Sequence, residues 1–145
     1  MVQKSLSNEG DKKTPEGIFD LGIAFGMNAT IDNNKIEYKN IDEYLYWVDD
    51  VNSKYYNQLV DSRNINKDWK SAEHLIEYPN EYEYVIEIKS NPENKKGKGS
   101  AVFLHCSNSK ATSGCVAIDK KTMQELMNII DGNAIIIIQG KNKKE

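Results

Sequence analysis

Alternation between apolar and polar residues predicts that this chain is built mainly from β-strands. In the segment 82–88, Tyr82, Tyr84, Ile86 and Ile88 alternate with residues of a wetter face. A period of two is typical of a strand that packs one face on a core. Further strands are predicted where short apolar segments lie between turn-forming residues: 18–25, 44–48, 101–105 and 115–118, with a shorter one near 36–38.

One helix is predicted in the last third of the chain. Its apolar positions recur at i, i+3, i+4 and i+7, on one helical face: Met123, Leu126, Met127 and Ile130. Asp119 is a candidate N-cap, and Gly132 is predicted to end the helix as its C′ residue. The pattern predicts a helix of about three turns.

The remaining segments complete the predicted fold class. Residues 134–139 form an almost continuous apolar run, which predicts a final strand in the centre of a sheet. The stretch 49–81 has no clear period and is predicted to be irregular, and loops of that length often carry function. The result is a β-rich single domain, 1–145, with one helix; its polar ends, 1–12 and 141–145, are expected to be flexible.

Charge and hydropathy exclude two classes of partner. The chain has 19 basic and 22 acidic residues and a formal net charge of −3. Affinity for nucleic acid grows with an excess of basic residues, so we expect no nucleic-acid partner. No apolar run of about 18 residues occurs, so we expect no membrane-spanning segment. The first residues also lack the apolar region of a signal peptide, which indicates an intracellular protein or a processed or trimmed form of an exported one.

The chain contains only two cysteines and two histidines, which limits its metal and redox chemistry. Two cysteines cannot form an all-cysteine structural zinc site. A mixed site would use all four residues at spacings unlike those of a zinc finger. We therefore expect no metal and no cofactor. A disulfide scaffold is not expected either, because such scaffolds hold more cysteines in shorter chains.

His105 and Cys115 form a candidate catalytic pair. His105 ends one predicted strand, and Cys115 begins the next strand after a loop of small residues, 107–114. A reversal of the chain between them can bring the imidazole to the thiol, and the thiolate is the nucleophilic form of cysteine. Gly114 lets a substrate approach the backbone closely. The amides of Gly114 and Cys115 could then stabilise an oxyanion.

Structural roles remain open for the same residues. Cys115 alone is typical of a small buried hydrophobic residue, and His105 alone of a hydrogen-bonded histidine at a strand end. Cys106 should face away from the His105 side of the strand and is expected to pack in the core. A Cys106–Cys115 disulfide, or a zinc site that adds His105, are the alternatives. His74 is interpreted as a surface or supporting residue.

Three separated motifs carry a resemblance to a known family. The first is 9–19 (EGDKKTPEGIF), and the second combines 47–57, where WVDD precedes Ser53, Tyr56 and Asn57, with 71–75 (SAEHL). The third is 97–106 (GKGSAVFLHC) followed by 111–118 (ATSGCVAI). Together they resemble the L,D-transpeptidase catalytic domain (YkuD-type) family over nearly the whole chain.

The resemblance implies a fold and a reaction. The fold is mainly β, mixed α+β, a β-sandwich or barrel with the helix after the catalytic cysteine. Cys115 is implied to be the nucleophile and His105 the general base. Cys115 would attack the carbonyl of the third residue of a peptidoglycan stem peptide and release the terminal D-alanine, which leaves a thioester. An amine of a neighbouring stem would form a 3→3 cross-link, whereas water would give carboxypeptidase activity. Carbapenems commonly acylate such cysteines.

Supporting residues are also implied next to the nucleophile. The Gly114 and Cys115 amides suit an oxyanion hole, and Thr112 occupies a position where a hydroxyl supports the site. Ser113 stands where the family more often has histidine, and Ala117 where it more often has arginine or asparagine. These two positions depart from the family pattern, as in a divergent branch.

Residues of the middle region are candidates for substrate binding: Trp47, Asp49, Tyr56 and Trp69. For the aromatic residues, the alternative is a packing role beneath a long loop. Asp49 and its neighbour Asp50 could orient His105 or bind the acceptor amine, and the alternative for both is a solvated turn.

The implied partners are peptidoglycan stem peptides, and the implied location is outside the cytoplasm. A monomer is expected, and a leading strand or an export signal would lie before Met1. Two alternative activities remain open. One is an L,D-carboxypeptidase or amidase that hydrolyses the same acyl-enzyme, and the other is an inactive module that binds the cell wall.

Overall fold

The computed structural model describes residues 14–107 and 116–140, which contain nine strands, one α-helix and one short 3₁₀ turn. The strands are β1 (Gly17–Gly26), β2 (Tyr38–Asn40), β3 (Leu45–Val48), β4 (Leu59–Asp61), β5 (Ala72–His74), β6 (Tyr84–Ile88), β7 (Phe103–Cys106), β8 (Val116–Ile118) and β9 (Ile135–Ile138). The helix α1 spans Lys120–Ile129, and the 3₁₀ turn spans Leu75–Glu77. The predicted flexible ends, 1–12 and 141–145, lie outside the described residues.

The strands form two sheets, which confirms the mainly β, mixed α+β fold class. The larger sheet has the order β2-β1-β6-β7-β8, with β9 beside β1, and the smaller sheet has the order β4-β3-β5. β7 and β8 run parallel, in a register that pairs Leu104 with Val116 and His105 with Ala117. On its other side, β7 pairs with β6. The strand that carries His105 is therefore an interior strand of the larger sheet.

A first core lies between the larger sheet and α1. Met123 and Met127 of the helix pack there against Ile86, Leu104 and Cys106 of β6 and β7. All five side chains are buried. We call this cluster the helix-side core.

A second core lies between the two sheets, and we call it the inter-sheet core. Phe25, Val85 and Phe103 of the larger sheet pack there against Trp47 of β3. The Phe103 ring meets the Trp47 ring edge to face, with centroids 4.9 Å apart. Because side chains alternate along β7, His105 points to the same side as Phe103 and lies on the inter-sheet face.

The smaller sheet falls largely in the stretch 49–81, which the sequence predicted to be irregular. That prediction is wrong for β4 and β5, which lie within it and pair with the two sides of β3. Each of the two strands has three residues, too few to produce a recognisable period of two.

The final strand does not lie in the centre of a sheet. Among the described residues, β9 pairs only with β1, so the prediction from its apolar run is wrong. Ile136 and Ile138 pack against the helix-side core, but Ile135 and Ile137 are 53% and 54% exposed. Four consecutive isoleucines therefore form an edge strand with one wet face, which an apolar run alone does not distinguish from a central strand.

The two ends of α1 differ from each other in how far they match the sequence pattern. The predicted N-cap is confirmed, because Asp119 accepts a hydrogen bond from the Thr122 amide. The predicted C′ role of Gly132 is wrong, because the chain already leaves the helix in an extended conformation at Ile130. The Asn33 side chain donates to the carbonyls of Met127 and Ile130, at 2.9 and 2.8 Å. A side chain distant in sequence therefore takes the place of a glycine cap.

With ten residues, α1 is too short to cross a bilayer, and the described residues hold no other α-helix.

A bulge in β1 depends on a glycine and a carboxylate. The register with β6 shifts between Leu21 and Ala24, and the Ile23 amide donates to Glu87 Oε1 at 3.3 Å. A Cβ on Gly22 would lie 2.1 Å from that oxygen. The carboxylate can reach the amide only because residue 22 has no side chain.

Gly22→Ala is expected to lower the free energy of unfolding by about 1–3 kcal/mol, because Glu87 must move and leave the Ile23 amide without its partner. Urea unfolding measures the change. Gly132→Ala is the matched control, since an added Cβ there meets nothing within 4 Å. We expect it to change stability by less than about 0.5 kcal/mol. Equal effects of the two substitutions would contradict this account of the bulge.

Candidate active site

His105 lies on β7 with its side chain on the inter-sheet face, and it is 5% exposed. Its backbone is held between Val85 of β6 and Ala117 of β8. The Tyr82 ring packs edge to face against the imidazole, with ring centroids 5.7 Å apart and planes at 78°. The position of the imidazole is thus set by two neighbouring strands and one aromatic ring.

A backbone carbonyl fixes the tautomer of His105. Nδ1 lies 2.8 Å from the carbonyl oxygen of Cys106. Because a carbonyl can only accept, Nδ1 must carry the hydrogen in this contact. The neutral ring then has its lone pair on Nε2, which is the arrangement a general base needs.

Tyr82 connects His105 to an acidic residue of the smaller sheet. The Tyr82 hydroxyl donates to Glu73 Oε1 at 2.5 Å, and Tyr82 is 6% exposed. Neither Tyr82 nor Glu73 is predicted from the sequence to be part of the site. Two features of the sequence could have indicated them: Tyr82 begins the alternating segment 82–88, and Glu73 lies in the motif 71–75.

The surroundings of Tyr82 are rich in carboxylates. Tyr78 packs against Tyr82 with ring centroids 5.2 Å apart. The pKa of Tyr78 is raised first by partial burial and then by the charges of four carboxylates: Glu73, Glu77, Glu81 and Asp49. A negative potential of this kind attracts ammonium groups.

Comparison with known proteins identifies the family. The model of the L,D-transpeptidase catalytic domain (YkuD) matches residues 5–138, nearly the whole chain. The chain belongs to this family. The match confirms the resemblance carried by the sequence motifs, and proteins of the L,D-transpeptidase family act on peptidoglycan of the cell wall. No curated protein and no solved structure matches the chain.

One of the two cysteines of this L,D-transpeptidase domain has a structural role. Cys106 is 1% exposed in the helix-side core, where its thiol donates to the Tyr84 carbonyl at 3.8 Å. Burial raises the pKa of the Cys106 thiol, which makes it a poor nucleophile. Cys106 is a free thiol. The predicted packing role is confirmed, and the described residues hold no group of three potential metal ligands.

Four predicted site residues lie outside the described residues: the nucleophile Cys115, the oxyanion-hole residue Gly114 and the supporting residues Thr112 and Ser113. Their roles in the L,D-transpeptidase site stay predictions. The described chain resumes at Val116, directly after Cys115, where β8 begins. Val116 packs against the helix-side core, and Ala117 pairs with His105.

The aromatic residues predicted to bind substrate are buried. Trp47 is 2% exposed and donates through Nε1 to Asn57 Oδ1 at 3.1 Å. Tyr56 is 2% exposed, and its hydroxyl accepts from the Gly99 amide at 3.1 Å. Trp69 is buried in a third apolar cluster beside the smaller sheet. These positions support the packing alternative, and contact with substrate stays a prediction.

The acidic candidates bond to neighbouring loops. Asp49 accepts from the Ser71 hydroxyl at 2.5 Å, and Asp50 accepts from the Lys70 amide at 2.8 Å. Backbone hydrogen bonds from Lys70 and Asn52 lower the pKa of the Asp50 carboxyl. No hydrogen bond joins either aspartate to His105 within residues 14–107 and 116–140. This arrangement supports the solvated-turn alternative.

His74 packs on the smaller sheet, and its predicted role as a surface or supporting residue of the site stays a prediction. Its ring stacks on Tyr46 of β3 with centroids 4.4 Å apart. Nε2 contacts the Glu43 carbonyl at 2.7 Å, and Nδ1 contacts Glu77 at 2.8 Å. Burial lowers the pKa of His74, but these two oxygens outweigh it and the net direction is upward.

Proposed function

We propose that this protein is a cysteine L,D-transpeptidase that forms a thioester with a peptidoglycan stem peptide and passes the acyl group to an amine. Cys115 is the nucleophile and His105 is the base. The observation that supports the proposal is the 2.8 Å contact between His105 Nδ1 and the Cys106 carbonyl, because it puts the hydrogen of the neutral imidazole on Nδ1 and leaves Nε2 with the lone pair that can take the thiol proton.

Chain geometry near His105 supports the choice of Cys115. Val116 faces the helix-side core and pairs with Leu104, while Ala117 pairs with His105. Successive residues of an extended chain point to opposite faces. The proposal requires the Cys115 thiol on the face of the sheet that His105 and Ala117 share. The other thiol, on Cys106, lies in the opposite core.

These residues account for each proton transfer and each bond change in the first half of the reaction. His105 Nε2 takes the proton from Cys115 Sγ, and the thiolate attacks the carbonyl carbon of the third stem residue. The amides of Gly114 and Cys115 stabilise the oxyanion, with Thr112 and Ser113 as supporting hydroxyls. The intermediate collapses, the bond to D-alanine breaks, and the imidazolium returns its proton to the leaving amine. A thioester remains on Sγ.

In the second half, an amine of a neighbouring stem attacks the thioester. His105 Nε2 accepts a proton from the attacking nitrogen, and the thiolate leaves. The carboxylates near Tyr78 would draw an amine-bearing acceptor, which is an ammonium ion at neutral pH, to this side of the site, and the ammonium must lose one proton to solvent before its neutral amine attacks. With water as acceptor, the same acyl-enzyme would give L,D-carboxypeptidase activity.

The setting of the enzyme follows from the same proposal. Its partners are stem peptides of the cell wall, and its place of action is outside the cytoplasm. Trp47, Asp49, Tyr56 and Trp69 remain the predicted substrate-binding residues, although the aromatic members would have to act from buried positions. The single-domain organisation of 1–145 and the monomeric state belong to the proposal as well.

Intact-mass spectrometry tests the proposal. Incubation with a carbapenem should add one drug mass to the protein, and incubation with a tetrapeptide stem should release D-alanine. An added amine should shift the product from tripeptide to cross-linked peptide. Folded protein that gives neither the adduct nor D-alanine would show that the proposal is wrong. If the same sample still bound muropeptides, an inactive wall-binding module would replace it.

A further inference from the structure

We infer that Tyr82 and Glu73 form a positioning pair, which holds the His105 imidazole in the orientation that proton transfer requires. The inference rests on the proposed role of His105 as the base. Tyr82 contacts the imidazole through its ring, and Glu73 holds Tyr82 through its hydroxyl. Neither residue is proposed to touch the reacting atoms.

The imidazole needs a second constraint besides its hydrogen bond. The contact of Nδ1 with the Cys106 carbonyl fixes one ring atom but leaves the ring free to tilt about that contact. The Tyr82 ring packs edge to face against the imidazole, with centroids 5.7 Å apart and planes at 78°, and this contact supplies a second constraint on the ring. Rate depends steeply on this geometry, since a displacement of about 1 Å can cost roughly a hundredfold in rate.

The Tyr82 ring is itself held from several sides. It packs edge to face on Phe103 at 5.6 Å, and its backbone amide donates to the Tyr78 carbonyl at 2.9 Å. The hydrogen bond to Glu73 then fixes the far end of the ring. Glu73 in turn lies on β5 and pairs with Trp47 of β3. The pair therefore ties the imidazole on the larger sheet to the backbone of the smaller sheet.

Packing alone does not account for the hydroxyl and the carboxylate. A phenylalanine would fill the same space between Phe103, Tyr78 and His105. A carboxylate that bonds to a 6% exposed tyrosine is partly removed from water, which costs free energy. The hydrogen bond to Glu73 instead fixes the orientation of the Tyr82 ring, and a fixed Tyr82 ring keeps the His105 imidazole in place.

Four variants test the inference: Tyr82→Phe, Glu73→Ala, Glu73→Gln and the double variant Tyr82→Phe/Glu73→Ala. The rate of carbapenem acylation, the affinity of the complex that precedes it, and the melting temperature are measured for each. We expect Tyr82→Phe and Glu73→Ala each to slow acylation by about tenfold with little change in affinity. The double variant should be no slower than either single one, because both break the same bond. Glu73→Gln should keep most of the rate, since its amide oxygen still accepts from the hydroxyl.

Three results would contradict the positioning role of Tyr82 and Glu73. Acylation at the wild-type rate in Tyr82→Phe and Glu73→Ala would overturn the inference. So would a loss of rate that only follows a loss of melting temperature, or a Glu73→Gln variant as slow as Glu73→Ala.

A second measurement separates this inference from the proposed function. The ¹⁵N shifts of the His105 ring report its tautomer without any turnover. We expect the hydrogen on Nδ1 in both proteins, because Tyr82→Phe leaves the Cys106 carbonyl in place, and we expect shifted or broadened ring signals in Tyr82→Phe, because the imidazole can then tilt. A wild type that forms no adduct would refute the proposed function, and the ring shifts would still decide the positioning role. Identical ring spectra in the two proteins would refute positioning.

Discussion

Cys115→Ser is expected to abolish thioester formation while leaving the fold intact. A serine hydroxyl is far less acidic than a thiol, so His105 Nε2 cannot generate the nucleophile to a useful extent. Loss of a nucleophile that acts together with its base lowers the rate by at least about 10³-fold. Intact-mass spectrometry with a carbapenem measures the adduct, and circular dichroism checks the fold.

Cys106→Ala is the matched control, because it removes the other thiol of the chain. The Cys106 side chain lies in the helix-side core, away from the His105 face. We expect acylation at the wild-type rate and a loss of about 1 kcal/mol in stability from the cavity. An adduct on Cys115→Ser, or a folded Cys106→Ala protein that is not acylated, would show that the nucleophile has been assigned to the wrong cysteine.

Asn57→Asp is expected to lower the free energy of unfolding by about 3 kcal/mol, because it leaves two buried acceptors facing a carboxylate. Asn57 Nδ2 donates to the Asn91 carbonyl and to Asn94 Oδ1, at 3.2 and 3.0 Å. Its Oδ1 accepts from Trp47 Nε1 and from the Ala101 amide. One 9% exposed side chain thus joins β3, the loop after β6 and the chain that enters β7.

Urea unfolding at several pH values measures this effect. The introduced carboxyl can donate a hydrogen bond only when it is protonated, so the folded protein binds that proton more tightly than the unfolded chain. The loss of stability should therefore shrink as the pH falls. Gln58→Glu makes the same change of charge at the next residue, which is exposed, and should alter stability by less than about 0.5 kcal/mol. If the control were equally destabilising, net charge rather than the Asn57 hydrogen bonds would be the cause.

The sequence alone is sufficient to predict an element where a single repeat of apolar positions determines which face is buried. Alternation in 82–88 predicted β6, and the spacing of Met123 and Met127 predicted α1. The placement of His105 on β7 followed from a short apolar segment in the same way, although the strand spans Phe103–Cys106 rather than 101–105. In each case the buried face is determined by residues close together in the chain.

The remaining features depend on contacts between distant residues. Asn33 caps a helix more than ninety positions away, so nothing near Gly132 reveals that the helix ends earlier. The exposed face of β9 depends on which strands lie beside it. The same is true of the site, where Tyr82 contacts His105 and bonds to Glu73 only when the two sheets are packed together. Periodicity cannot describe such contacts.

The carbonyl that holds the His105 ring belongs to the backbone of Cys106 and not to its side chain. Any residue that β7 accepts at position 106 supplies the same acceptor at the same place. Substitution or oxidation of that side chain can therefore change the stability of the protein, whereas the hydrogen of the imidazole stays on Nδ1. The tautomer of His105 therefore does not depend on which side chain stands at position 106. Residue 106 can vary as packing in the helix-side core requires.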